Sequence, residues 1–151
     1  MSHISNILTW NIANDNSLCG KKQDDEDFID IINKHSVVCL QETGSEINLV
    51  GYESYSNLRR HGRKGGVTTL VSNSLNNVCQ QIDLQLDDLN PDLSMNIVVL
   101  KFMNHVADNS NISVPQATFL FNVYIPPANS RRRPGSSDSS ENFDILHSLV
   151  L

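Results

Sequence analysis

The 151-residue sequence predicts an α+β domain, a mostly antiparallel sheet with flanking helices, and three observations carry that reading. Short apolar and polar alternations recur along the chain, one segment keeps the three-and-four spacing of a helix, and Gly, Pro and Asn punctuate the gaps between them. With 39% hydrophobic and 19% charged residues, the chain has the composition of one soluble domain, or part of one, that can bury a core.

Ile4 to Ile12 alternates, with Leu8, Trp10 and Ile12 on one side and Ile7, Thr9 and Asn11 on the other, and predicts a half-buried strand. Asn11 falls on its polar face near the end, where it serves either the following turn or a site. From Asp24 to His35 the spacing becomes helical: Phe28, Ile31, Ile32 and His35 share a face, and Asp24, Asp25, Glu26 and Asp27 suit the positive end of the helix dipole. The run Val37 to Leu40 then reads as a strand buried on both faces. It places Glu42 at a strand's end, either as a turn residue or as a carboxylate that is firmly held yet meets solvent.

Gly51-Tyr52-Glu53-Ser54-Tyr55 leads to a basic loop, Arg59, Arg60, Arg63 and Lys64, and Gly65-Gly66 opens a strand from Val67 to Val71. Val78 to Leu86 alternates weakly and Asn90-Pro91-Asp92 turns the chain. Met95 to Phe102 alternates again, with Ile97, Val99 and Lys101 opposite Val98, Leu100 and Phe102. Asn104 to Ser113 reads as a loop, and Ala117 to Ile125 as a last strand stopped by Pro126-Pro127. Residues 129–140 read as a mobile loop, and Phe143, Ile145, Leu146, Leu149 and Val150 begin an amphipathic helix after a Ser140 cap.

The formal net charge of −6 weighs against general nucleic-acid binding, but seven of the eleven Lys and Arg residues lie in two clusters, 59–64 and 131–133. Either cluster reads as a solvated loop or as a phosphate contact. Cys19, Cys39 and Cys79 are odd in number and have no zinc-like spacing, which predicts reduced thiols. No apolar run reaches the roughly eighteen residues of a membrane span. The start Met-Ser-His-Ile lacks the pattern of a secretory signal, so the protein is expected in the cytoplasm or nucleus, neither secreted nor in a membrane.

Leu8-Thr9-Trp10-Asn11-Ile12, Val38-Cys39-Leu40-Gln41-Glu42-Thr43, Gly65-Gly66-Val67 and Asn122-Val123-Tyr124-Ile125-Pro126-Pro127 occur in order over most of the chain. Together they resemble the endonuclease/exonuclease/phosphatase superfamily, with its deoxyribonuclease I-like α/β sandwich, and most closely its retrotransposon-type endonuclease domains. The resemblance implies a DNA endonuclease in which Glu42 and Asn11 serve the metal, Mg2+ or alternatively Mn2+, and Tyr124 points its hydroxyl at the scissile phosphate. It further implies DNA as partner, with a reverse transcriptase domain downstream. Ala13 stands where several relatives have an acid. The family's later Gly-Asp-x-Asn and Asp-His motifs do not occur in the sequence.

Residues 1–151 are therefore expected to form the amino-terminal part of such a domain, one sheet with its helices, inactive alone. The inner face built from Val67–Val71 and Ala117–Ile125 would be left bare for self-association. The alternatives are a non-catalytic remnant that binds a partner or nucleic acid and, less favoured, a phosphatase of phosphoinositides or small phosphoesters.

Overall fold

Strand β2 (Val37–Gln41) is the centre of the molecule, and its burial follows from being covered on both faces. The computed structural model of the protein describes residues 4, 6–12, 24–58, 65–84, 96–107 and 113–125. Within these, β2 pairs in parallel with β1 (Ile7–Asn11) and antiparallel with β4 (Val67–Ser72), whose other edge carries β3 (Tyr52–Asn57). A second, antiparallel sheet is ordered β5 (Cys79–Ile82), β6 (Ile97–Ala107), β7 (Ser113–Val123).

The parallel pairing of β1 with β2 requires a crossover, and α1 (Glu26–Ile32) lies within it. Asp25 caps the helix, its carboxylate accepting from the backbone N–H of Asp27 at 3.0 Å and of Phe28 at 3.3 Å. Phe28 and Ile32, one turn apart, are its buried residues, and Ile31 is exposed. They pack with Ile12, Val38, Leu40, Ile47 and Leu70 on one face of the four-stranded sheet, where the Trp10 and Phe28 rings lie 5.5 Å apart. The helix ends at Asn33; His35 Nδ1 donates to Ile31 O, and the Tyr52 hydroxyl lies 2.8 and 2.7 Å from the carbonyl oxygens of Ile32 and His35, satisfying carbonyls that the helix leaves over.

The strands and flanking helix expected from the sequence are present, but the strands divide between two sheets. The inner face of β4, expected to be bare, is covered: Val37, Cys39, Val67 and Val71 of the first sheet pack with Val98, Leu100 and Phe102 of β6 and with Leu75. Val67–Val71 and the last strand thus face each other across a shared core rather than lying in one sheet. β6 alternates as expected, and both of its faces are buried near the start, Val98 and Leu100 inward, Ile97 and Val99 outward.

Three boundaries differ from the sequence reading. Tyr52–Asn57 forms a strand, because it completes the free edge of β4 in a six-residue register. Asn73–Val78 is a 3-10 turn that buries Leu75 before β5 begins. The expected loop 104–113 is partly strand, since β6 and β7 continue as a hairpin ribbon to the Ala107–Ser113 pair. The basic loop 59–64, the 129–140 loop with Arg131 to Arg133, and the helix expected from Glu141 lie outside the described residues.

Candidate active site

The strand directions bring one set of ends together. β1 and β2 run towards Asn11 and Gln41, antiparallel β4 starts at that end with Val67, and Ile97 of β6 pairs with Val123 of β7 there. Glu42, directly after β2, is half-buried and accepts a hydrogen bond at Oε1 from Asn11 Nδ2 at 3.1 Å. The structure thus joins two of the three residues singled out by sequence.

Glu42 is the sole non-glycine with positive φ among the described residues, at 56°. A side chain in the left-handed region costs on the order of 1–2 kcal/mol, so backbone conformation is not what recommends glutamate at this position. Thr43 and Gly44 then turn the chain across the mouth of the sheet: Thr43 N donates to Gly66 O at 3.3 Å and Gly44 N to Gly65 O at 3.0 Å. Gly65 and Gly66 have φ of 133° and 88°, a conformation that L side chains rarely adopt, and this accounts for the paired glycines.

Tyr124 lies on the opposing sheet at the same end. Its backbone N–H donates to Asn96 O at 2.9 Å, while Asn96 Oδ1 accepts from Gly66 N at 3.4 Å. A hydrogen-bonded path therefore runs from Tyr124 through Asn96 and Gly66 to Thr43, the neighbour of Glu42. The half-buried Tyr124 side chain packs against the core between the sheets.

Three amides that were not singled out as site residues shape this end. Asn96 and Asn122 are buried, and Asn57 Nδ2 donates to Ile97 O at 3.2 Å across the layer. Asn122 Nδ2 lies 3.3 Å from Leu40 O, 3.0 Å from Thr68 O and 3.1 Å from Thr69 Oγ1. Its Oδ1 accepts from Gln41 Nε2 at 2.8 Å, and that amide also reaches Thr9 Oγ1 and Cys39 O. The available signal is phase: Asn122 occupies an inward position two residues from Leu120, where a strand of this kind would otherwise place an apolar residue.

No group of three or more His, Cys, Asp or Glu residues able to hold a metal occurs among the described residues. Glu42 offers one half-buried carboxylate that accepts from the Asn11 amide, so the donor chemistry at this mouth is hard oxygen. Such a donor set is compatible with a hard divalent cation that keeps most of its waters and takes one or two protein carboxylates.

Among solved structures, the chain is similar to the catalytic domain of APE2 from Xenopus laevis, at a TM-score of 0.57 and 16% identity over 85% of this chain and 47% of that one. It is also similar to the AP endonuclease LMAP from Leishmania major, at a TM-score of 0.50 and 18% identity over 82% of this chain and 41% of that one. It spans less than half the length of either, and at these identities the likeness concerns the fold, a deoxyribonuclease I-like mixed α/β arrangement. No curated protein matches the chain. Residues 8–147, from β1 past the Tyr124 motif, match the Endonuclease/Exonuclease/phosphatase family, and the chain belongs to that family.

Proposed function

We propose that the chain is the amino-terminal part of a Mg2+-dependent phosphodiesterase that hydrolyses DNA strands, of the retroelement endonuclease type. One observation carries the reading: a carboxylate in a strained backbone conformation, bonded to an amide at a strand mouth, at the same end of the layer as Tyr124. Family membership supports a phosphoesterase, and likeness in fold to two AP endonucleases is in keeping with a nuclease among these.

Glu42 would hold the ion, with Asn11 orienting the carboxylate by its donated hydrogen bond, and Mn2+ serves as the alternative metal. When bound, such a cation would offset the negative charge that builds on the phosphate and leaving oxygen. The Tyr124 hydroxyl donates to a non-bridging phosphate oxygen, and the 59–64 and 131–133 clusters contact the DNA backbone. A Gly-Asp-x-Asn motif, whose acid would align the attacking water, does not occur in these 151 residues, so the chain alone is inactive. The intact protein would be intracellular and carry a reverse transcriptase domain.

Binding of Mn2+ to the 151-residue chain, followed by the paramagnetic resonance of the free ion, is expected to disappear in Glu42→Gln. Binding indifferent to that substitution overturns the metal assignment. Supercoiled plasmid should stay intact with the chain and Mg2+; robust nicking abolished by Glu42→Gln would refute the claim that the site is incomplete.

A second reading, a binding module that associates with another protein or with its own copies, draws on the outer face of the second sheet, where Phe119 and Phe121 are 52% and 44% exposed beside Ile125. Sedimentation of the chain tests self-association: a monomer at all concentrations removes it.

A further inference from the structure

The geometry points to Asn122 as a positioning residue that sets where Tyr124 stands relative to Glu42, an inference that rests on the site proposed above. Asn122 is 2% exposed, and both ends of its amide are used. Its Nδ2 reaches two backbone oxygens and one hydroxyl on β2 and β4, and its Oδ1 takes the Gln41 amide at 2.8 Å. It is thus bonded to the residue directly before Glu42 and lies two residues before Tyr124, which directly follows β7.

Packing alone does not call for this residue. An aliphatic side chain of similar volume would fill the site between the sheets at lower desolvation cost. What an aliphatic side chain lacks is direction: contact between apolar faces tolerates a slide of one sheet over the other, whereas four donor–acceptor distances to two strands of the opposing sheet do not. A slide along the strands would carry Tyr124 away from Glu42. Asn122 therefore acts through Tyr124, with Gln41 as its counterpart beside Glu42.

The test uses the full chain labelled with 3-fluorotyrosine, its three fluorine lines assigned by single Tyr→Phe changes, and Mn2+ as probe. In the wild-type chain, Mn2+ should broaden the Tyr124 line more than those of Tyr52 and Tyr55, and Glu42→Gln should abolish the effect. In Asn122→Leu, Mn2+ affinity and cooperative melting should persist while the broadening at Tyr124 falls several-fold. Wild-type broadening at unchanged affinity overturns the proposal and leaves Asn122 as filling only.

If Asn122→Leu does not fold, Gln41→Leu decides, because it removes the amide from which Asn122 accepts and leaves the Asn122 donors in place. Unchanged broadening in it overturns the proposal, and a several-fold loss supports it. If Glu42→Gln leaves Mn2+ binding intact, the metal reading has failed rather than this one. The metal-free Overhauser contacts between the Tyr124 ring and the core methyls then decide: kept in Asn122→Leu they overturn the positioning role, and lost while the chain still melts cooperatively they uphold it.

Discussion

The layer between the two sheets has two unlike ends. At the Glu42 end it is built with amides: Asn57 to Ile97, Asn96 to Gly66, and Asn122 to Gln41, Leu40, Thr68 and Thr69. At the other end Val37, Val71, Leu75 and Phe102 meet as side chains without polar atoms. Apolar contact supplies most of the free energy of packing and little directional preference, while hydrogen bonds add less energy and fix alignment. One end therefore holds the sheets together and the other sets how they are aligned, and the candidate catalytic groups lie at the aligned end.

The largest effect should come from the apolar end. Phe102→Ala removes a fully buried ring and should cost about 3–5 kcal/mol by chemical denaturation, with the Glu42-dependent Mn2+ response unchanged if the variant folds in metal-binding conditions. A loss of binding affinity in a folded Phe102→Ala chain would break the division of labour.

Next is an alkaline transition centred on Cys39, which sits between the two ends. Burial pushes its thiol up to about 11 from 9.0, against a smaller opposing effect of the Thr69 hydroxyl. A raised folded pKa stabilises the protein fully below the unfolded value and loses that contribution as pH rises through the folded value. The window is thus pH 9 to 11, and the loss about 2–3 kcal/mol at its end, with Cys79 and Tyr55 shifted in the same direction. Denaturation from pH 8 to 11 checks it, and Cys39→Ala should flatten much of the slope.

At the amide end, Asn122→Leu should cost only about 1–2 kcal/mol, because the partners it abandons keep some of their other bonds, while its effect on Tyr124 is out of proportion to that loss. The smallest change runs the other way. Glu42→Gly relieves the left-handed backbone and should raise stability by up to about 1 kcal/mol while removing metal binding; a melt below that of the wild type would show that Glu42 is retained for structure.

Parts of this were legible in the sequence because they are local. The two faces of β1, the acidic start of α1, the doubly buried β2 and the opposed residues of β6 all follow from spacing within a few residues of chain. Asn11 and Glu42 were singled out through the order of motifs, and the structure brings them into contact at 3.1 Å. The division into two sheets was not, because alternation tells which residues face apart and says nothing of which strands pair. For the same reason β3 went unassigned: its identity comes from the free edge of β4 rather than from its own mixed residues. Asn122 was singled out only as part of a motif and Asn96 not at all, and neither was given a role, since only the assembled layer shows them to be buried.

Chain separation has a consequence for the order in which the site comes into being. Asn11 and Glu42 are 31 residues apart, but Gln41 and Asn122 are 81 apart. During synthesis the carboxylate–amide pair can therefore close, with the first helix laid over its sheet, long before the tyrosine strand leaves the ribosome. Nascent chains halted before residue 113 should already protect β2 amides from exchange while lacking everything that aims the phenol.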